Sequence, residues 1–147
     1  MAHEFIQHLI EDHEEQRQLG EQLRTAMDPE EREELRQEFH EALYPHMIGE
    51  EASIFPYMQE MGGEAQEEAM SAVQEHHAAK LILRELMDLT LSSDVFKAKA
   101  SVLDEMNRHH MEKEEEIHFP MLEQMADEDQ LDKLFDQYEE AEEKVED

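Results

Sequence analysis

Apolar residues recur along the first part of this chain at the spacing of an amphipathic helix. Between positions 2 and 27, the pattern predicts a first helix with an inward stripe formed by Phe5, Ile6, Leu9, Ile10 and Leu23. His13 lies one turn beyond Leu9, so its side chain is expected to face inward with this stripe. The first helix therefore carries an imidazole on its apolar face.

A proline after an aspartate marks the start of a second helix. Asp28 is a suitable N-cap and Pro29 a suitable first helical residue. The predicted helix runs to Met61, where Gly62 and the glycine after it end the helix. Its inward positions are Leu35, Phe39, Leu43, His46 and Glu50. The second helix therefore carries a histidine and a glutamate one turn apart.

Two more long helices follow. The third is predicted from about Glu64 to Leu91, and its inward positions are Ala69, Ala72, Val73, His76, Ala79, Leu83 and Leu86. A short loop with an N-cap at Ser93 or Asp94 precedes the fourth helix, which reaches Pro120. The inward positions of this fourth helix include Phe96, Leu103, Met106, His110 and Glu114.

The pattern as a whole predicts an all-α fold. Four long helices with short connections are typical of an up-and-down antiparallel four-helix bundle, here over about residues 2–125. A last apolar stretch predicts a short additional C-terminal helix within 127–147, and its charged end from Glu139 is expected to fray. No linker divides the chain, so residues 1–147 are expected to form a single domain.

The composition narrows the functions that the chain can have. Acidic residues number 41 against 12 basic ones, for a formal charge of −29, and such a surface repels nucleic acids and anionic membranes. Cysteine is absent, which leaves His, Asp, Glu and Tyr as strong metal ligands. The N-terminal residues contain no apolar segment of signal or transmembrane length, so we expect a cytoplasmic location.

One motif of the chain occurs twice. Residues 46–51 read His-Met-Ile-Gly-Glu-Glu and are followed by Phe55-Pro56, and residues 110–115 read His-Met-Glu-Lys-Glu-Glu and are followed by Phe119-Pro120. The pairs Asp12-His13 and Glu75-His76 repeat at nearly the same spacing. The order His, His-x-x-x-Glu, His, His-x-x-x-Glu indicates two similar helical hairpins.

These repeated residues predict a metal site. Residues four apart on a helix share a face, so His46 with Glu50 and His110 with Glu114 can each present an imidazole and a carboxylate inward. With His13 and His76, four imidazoles and two carboxylates would meet inside the bundle. Two bridging glutamates with histidines on either side suit a dinuclear centre of iron or manganese, and the cations would stabilise the buried carboxylates. The alternative is a duplicated hairpin that kept its packing and lost its metal.

The joint pattern resembles the hemerythrin-like, or HHE cation-binding, family over roughly residues 3 to 125. This resemblance implies a single hemerythrin-like domain with a non-haem di-iron centre, whose ligands are His13, His46, Glu50, His76, His110 and Glu114. It also implies that the chain binds or reacts with a small oxidant: dioxygen, peroxide or nitric oxide. The alternative is a non-catalytic sensor of iron or oxygen, or an iron-handling module, that acts through a partner protein.

The chain departs from the oxygen-carrying hemerythrins at two places. Those proteins have a second histidine four residues after that of the third helix, where this chain has Lys80, and they use a His-x-x-x-x-Asp pair where His110 is followed by Glu114 and Glu115. A missing imidazole would leave one iron more open to water, peroxide or a tyrosine. This departure favours a reactive or sensory centre over a reversible oxygen carrier.

Several other histidines and tyrosines are candidate ligands. His77 is the alternative to His76, but it points about 100° away, towards a more polar set of neighbours. The histidines outside the repeat are expected at the surface or around the site: His3, His8, His40 and His118. Tyr44 and Tyr57 flank the first motif and are expected to pack, with a metal contact as the alternative.

Overall fold

Helices occupy almost all of residues 2–146, which the computed structural model describes. The helices are α1 (Glu4–Thr25), α2 (Pro29–Ala52), α3 (Ile54–Met61), α4 (Gly63–Asp88), α5 (Phe96–Lys113), α6 (Phe119–Met125) and α7 (Glu128–Glu146). A π-helical turn, Glu114–His118, joins α5 to α6. No strand occurs among these described residues, so the all-α prediction is confirmed. None of the described helices is long and apolar enough to cross a lipid bilayer.

The bundle is formed by α1, α2, α4 and α5. α1 packs against α2 and α5, while α4 packs against α5 and α2. Each bundle helix therefore has two neighbours, and short connections make consecutive helices antiparallel. α3 packs on α4, and α7 lies outside the bundle against α2 and α1.

Two apolar clusters fill the interior, and a polar layer separates them. One cluster includes Phe5, Leu9, Phe55, Phe119, Leu122 and Tyr138. The other includes Leu23, Phe39, Leu43, Leu83, Phe96 and Leu103. Along each bundle helix the apolar stripe is interrupted at the same level, where buried polar residues such as His13, Glu50 and His76 occur. The polar positions that the sequence places on apolar stripes therefore meet in one layer.

The predicted second helix is divided in two, so its predicted continuity was wrong. α2 continues through Pro45 but ends at Ala52, and Ser53 has non-helical angles of φ −130° and ψ −82°. The Ser53 hydroxyl donates a hydrogen bond to the Gly49 carbonyl oxygen, 2.7 Å away, which stabilises the turn. After this break α3 ends as predicted at Gly62, whose φ of +72° favours glycine. Local residue preferences do not reveal such a break because they favour helix on both sides.

The predicted fourth helix is also interrupted. It begins at Phe96, and Val95 occupies the N-cap position predicted for Ser93 or Asp94. The Ser93 hydroxyl accepts a hydrogen bond from the Val95 amide in the turn before the helix. The π-helical turn Glu114–His118 then separates α5 from α6. This turn occurs at the same place in the repeat as the break at Ser53. The break at Ser53 follows the first His-x-x-x-Glu motif, and the π-helical turn begins at Glu114, the glutamate of the second.

The predicted C-terminal helix is present, and it is longer than expected. α7 runs to Glu146, so the segment from Glu139 is helical and does not fray; Asp147 lies outside the described residues. Leu131, Leu134 and Tyr138 bury the apolar face of α7 on the bundle. This tertiary packing stabilises a charged helix that would be marginal in isolation.

Candidate metal centre

Six polar side chains that the sequence predicts as ligands converge in the buried layer. We call them the internal cluster: His13 from α1, His46 and Glu50 from α2, His76 from α4, His110 from α5, and Glu114 from the π-helical turn. All six are at most 7% exposed. Their neighbours His77 and His109 are exposed, which agrees with the orientation predicted from the stripe and the repeat.

The internal cluster has two halves that share Glu50. In the first half, His13, His46, Glu50 and Glu114 each offer an atom within 4.8 Å of the others. In the second half, Glu50, His76 and His110 do the same. Glu50 Oε2 lies 3.4 Å from His46 Nε2, while Glu50 Oε1 lies 3.2 Å from His76 Nε2. The two oxygens of one carboxylate therefore face different halves.

Glu114 spans the cluster in the same way. Its Oε1 atom lies 3.0 Å from His13 Nε2, and its Oε2 atom lies 3.4 Å from His110 Nε2. Two carboxylates thus connect the His13/His46 half to the His76/His110 half. This is the arrangement that bridging ligands of two cations require, because each carboxylate offers one oxygen to each side.

Four carboxylates outside the internal cluster orient its imidazoles; we call them the outer carboxylates. Each accepts a hydrogen bond from a histidine Nδ1: Glu115 from His13 at 2.6 Å, Asp12 from His46 at 3.1 Å, Glu51 from His76 at 2.8 Å, and Glu75 from His110 at 2.8 Å. With the proton on Nδ1, each Nε2 lone pair faces inward, as a metal ligand requires.

The outer carboxylates lie at matched positions of the two repeats, but the sequence pattern alone predicts no role for them. Asp12 and Glu75 precede the first histidine of each hairpin, and Glu51 and Glu115 follow the two inward glutamates. Asp12 and Glu75 orient a histidine of their own hairpin, whereas Glu51 and Glu115 orient one of the other hairpin. Their matched register was the available signal. Which imidazole each carboxylate reaches depends on the packing of the helices.

Buried polar atoms without partners indicate that the internal cluster can hold a cation. Among residues 2–146, no hydrogen-bond partner is found for four buried atoms: both oxygens of Glu50, Oε2 of Glu114 and Nε2 of His46. His76 Nε2 also lies 3.0 Å from His110 Nε2, so two nitrogens of the same kind face each other. Unpaired buried carboxylates are costly, and cations between these nitrogens and oxygens would satisfy all of them. Imidazole and carboxylate donors suit iron and manganese.

The charges within the internal cluster are strongly coupled. Burial opposes the ionisation of Glu50, but the charge of the neighbouring His46 holds its pKa well below the usual value. Burial likewise opposes the protonation of His46, but the Glu50 charge and the Asp12 hydrogen bond raise its pKa to about 10. Protons therefore compete with cations for these imidazoles.

A tyrosine from α7 completes the His13/His46 half. The Tyr138 hydroxyl donates a hydrogen bond to Asp12 Oδ2 at 2.8 Å, and its oxygen lies 2.8 Å from His46 Nδ1. Burial and the Asp12 charge raise the pKa of Tyr138, so the phenol stays protonated. Tyr138 thus fixes both an imidazole and the outer carboxylate that orients it.

Tyr44 and Tyr57 pack against the apolar clusters, as expected. The Tyr57 hydroxyl donates a hydrogen bond to the Met125 carbonyl oxygen, and Tyr44 stacks on His40. The available signal for Tyr138 was Gly49, a glycine inside a helical motif, since such a glycine often marks a close approach of another chain segment.

Lys80 lies beside the internal cluster rather than in it. Its Nζ atom donates a hydrogen bond to Glu51 Oε1 at 2.7 Å, so it pairs with the outer carboxylate that orients His76. Lys113 pairs with Glu75 at 3.1 Å, and Arg17 pairs with Glu115 at 2.9 Å. These cations stabilise outer carboxylates in their ionised form.

The histidines outside the repeat have separate places. His3 caps α1 and pairs with Asp132, and His8 lies near Asp12. His118 is fully buried, and its Nε2 lies 3.0 Å from a Glu68 oxygen. His118 therefore belongs to the interior and is not a surface residue.

The two halves of the internal cluster differ in their access to solvent. A cavity of about 110 Å³ adjoins the His76/His110 half and is lined by Glu75, His76, Ala79, Met106, Asn107, His109 and His110. Aromatic rings pack on both halves: Phe119 stacks on His13, Tyr138 packs against His46, and Phe55 packs edge-on against His76. The cavity therefore distinguishes the His76/His110 half.

A family comparison agrees with this geometry. The sequence model of the hemerythrin HHE cation-binding domain matches residues 4–122, which include the whole internal cluster but not α7. No significant match was found among curated proteins or among solved structures. Because the match covers more than half of the chain, this protein belongs to the hemerythrin HHE cation-binding family.

Proposed function

We propose that this protein holds a non-haem di-iron centre and uses it to bind or react with a small oxidant such as dioxygen, peroxide or nitric oxide. The observation that carries the proposal is the position of Glu50 and Glu114, whose oxygens face both halves of the internal cluster. Iron at this place would supply Lewis-acid and redox chemistry. Manganese is the other metal that suits these donors.

Each residue of the internal cluster has a distinct role in this proposal. His13 and His46 would hold one ion, and His76 and His110 would hold the other, with both glutamates as bridges. The outer carboxylates keep each Nδ1 protonated, so that each Nε2 is available to an ion. Such partners commonly strengthen metal binding about 10- to 100-fold.

The cavity supports a small substrate. Its volume of about 110 Å³ has room for a diatomic molecule or peroxide. The hydrogen bond from His110 lowers the pKa of Glu75 to about 2, so this carboxylate at the cavity wall stays ionised. Glu75 therefore orients the imidazole of His110 and does not donate a proton to the substrate.

The surroundings of Lys80 favour a reactive centre over a reversible carrier. Lys80 is paired with Glu51, so α4 supplies one inward imidazole, that of His76. This half, which lacks the second α4 imidazole that the oxygen carriers have, is also the half that adjoins the cavity. A small oxidant would therefore meet the more open ion first.

Metal analysis combined with spectroscopy tests the proposal. Iron-replete protein should contain about two irons per chain, as a bridged pair requires, and its visible absorbance should change on exposure to peroxide or nitric oxide. Glu50→Gln should lower the iron content, since it removes a bridge, whereas Glu112→Gln removes an exposed charge and should not. At most one tightly bound ion per chain would contradict the dinuclear centre.

The second candidate function is a non-catalytic sensor or iron-handling module that acts through a partner protein. The observation in its favour is α7, which lies outside the family match yet contacts the internal cluster through Tyr138. A change of charge at His46 would reach this outer helix directly. Iron binding without consumption of peroxide or nitric oxide would favour this alternative.

A further inference from the structure

A third group of potential ligands lies outside the internal cluster, where α1 meets α7. We call it the peripheral cluster: His8, Asp12 and Glu142. Each of the three offers an atom within 4.8 Å of the others, and all are half-buried. His8 and Asp12 lie one turn apart on α1, with His8 Nε2 3.6 Å from Asp12 Oδ2, and Glu142 lies one turn after Tyr138 on α7. Two helices therefore contribute to one group of donors.

The imidazole nitrogen of this cluster is buried and unpaired. His8 Nε2 is inaccessible to solvent and has no hydrogen-bond partner in the part of the chain that the structure describes. The ring is held in place by Phe135, at a centroid distance of 5.2 Å, and by Tyr138, at 5.8 Å. Aromatic packing thus holds this nitrogen close to two carboxylates, and a buried nitrogen without a partner is unfavourable.

The two carboxylates of the peripheral cluster, Asp12 and Glu142, lie near histidines but have no lysine or arginine partner among the described residues. Burial and the nearby Asp12 charge raise the pKa of Glu142. This differs from Glu51, Glu75 and Glu115, each of which pairs with a lysine or arginine. A bound cation at this point of the α1–α7 interface would compensate the charge of both carboxylates.

We propose that His8, Asp12 and Glu142 form a second, peripheral binding site for a divalent cation such as Fe²⁺, Mn²⁺ or Zn²⁺. One imidazole and two carboxylates are donors that these ions accept. Only three protein donors are present, so water completes the coordination and the ion exchanges readily. The formal charge of −29 attracts cations to the surface.

The peripheral site adjoins the internal cluster through one shared residue. Asp12 Oδ2 lies 3.1 Å from His46 Nδ1, so an ion at Asp12 lies one side chain away from the internal cluster. The peripheral site is thus placed to receive ions before they enter the bundle, and their passage to the His46 side requires displacement of the Tyr138 ring. This loading role rests on the proposed function of the internal cluster, whereas cation binding at the peripheral site does not.

Titration with Mn²⁺ after loading with iron tests the peripheral site. The unmodified chain should bind one additional Mn²⁺ that is detected by equilibrium dialysis and by electron paramagnetic resonance. Glu142→Gln and His8→Gln should each weaken this binding by about tenfold or more. Glu143→Gln removes the same charge from an exposed neighbour on α7 and should leave the affinity unchanged. Thermal melts verify that each variant is folded.

Three outcomes would overturn the proposal. The first is the absence of an additional Mn²⁺ in the unmodified chain. The second is equal Mn²⁺ binding by Glu142→Gln and Glu143→Gln, which would indicate general attraction to an acidic surface. The third is Mn²⁺ binding that survives both Glu142→Gln and His8→Gln.

The rate of Fe²⁺ uptake tests the loading role. Glu142→Gln should slow uptake of Fe²⁺ without changing the final iron content, and uptake at the parent rate would contradict loading. Glu50→Gln separates the two proposals because it changes only the internal cluster. If the parent chain takes up no tightly bound iron pair but Glu142→Gln still weakens Mn²⁺ binding, the proposed function fails and the peripheral site stands.

Discussion

Gly49 lies directly against the ring of Tyr138. A Cβ atom on Gly49 would come within 2.5 Å of Tyr138 Cδ2, closer than packed atoms approach. The missing side chain lets α7 approach α2 closely enough for the Tyr138 hydroxyl to reach His46. A glycine in the middle of a helix therefore determines how the outer helix contacts the internal cluster.

Gly49→Ala should destabilise the protein through this contact. Overpacking should lower the free energy of unfolding by about 1–3 kcal/mol, although alanine is the better helix former. In a Tyr138→Ala background the clash is gone, and the same substitution should stabilise by up to about 1 kcal/mol. Urea denaturation of the four proteins in this double-mutant cycle measures the coupling. Additive effects of the two substitutions would show that Gly49 and Tyr138 do not act through their contact.

Tyr138→Phe separates the contribution of the hydroxyl group from that of the aromatic ring. The variant keeps the packing but loses the hydrogen bonds to Asp12 and His46, which should cost about 1 kcal/mol of stability. It should also weaken iron binding by about tenfold, since the orientation of His46 is less fixed. Competition with a chelator measures the affinity. Tyr57→Phe is the control because its hydroxyl bonds to Met125 and Gln130. Equal iron affinities of the two variants would exclude a role for the Tyr138 hydroxyl.

The repeat explains why the sequence was sufficient to predict which side chains converge. Each hairpin supplies the same residue types in the same register, so His13 corresponds to His76 and His46 to His110. Helical periodicity then places them on inward faces, and a bundle brings inward faces together. That these six residues bind metal stays a prediction, which the iron analysis above tests.

The role of Tyr138 could not be predicted in the same way. Tyr138 lies outside the repeat, and its contact with His46 joins residues that are distant in sequence. A tyrosine on an apolar helical stripe is usually a packing residue, and only the docking of α7 distinguishes this one. The break at Ser53 escaped prediction because residue preferences favour helix on both sides of it.

The pKa of His46 predicts a loss of stability at alkaline pH. Its pKa is about 10 in the folded protein against 6.5 as the ordinary value, because Glu50 and Asp12 favour the protonated ring. A group whose pKa is raised by folding contributes its full stabilisation at pH values below its pKa in the unfolded chain. This contribution is lost as the pH rises through its pKa in the folded protein. The unfolding free energy of chelator-treated protein should therefore fall between pH 6.5 and about 10.

Urea denaturation across this pH range provides the measurement. His46→Gln should reduce the slope of stability against pH, whereas His77→Gln replaces an exposed histidine and should keep it. Iron-loaded protein should show a smaller slope, since bound cations exclude the proton from the cluster. A parent slope that persists in His46→Gln would show that His46 does not hold the proton in this range.

The cavity beside His76 and His110 predicts that access can be blocked without loss of metal. Ala79 is a buried residue of its lining, and Ala79→Leu would fill part of a volume of about 110 Å³. Iron content should be unchanged, because Ala79 is no member of the internal cluster. The reaction with nitric oxide or peroxide should slow by about tenfold or more, which corresponds to a barrier higher by about 1.4 kcal/mol.

Ala98→Leu is the matched control for Ala79→Leu, since it makes the same change at an exposed helical position. Overpacking by leucine costs typically about 1–3 kcal/mol, so a thermal melt must first show that Ala79→Leu is folded at the assay temperature. Stopped-flow mixing of each iron-loaded protein with nitric oxide then gives the association rate. A rate for Ala79→Leu equal to that of Ala98→Leu would mean that ligands reach the internal cluster by another path. The rings of Phe119 and Tyr138 cover the opposite half, so that path would require their displacement.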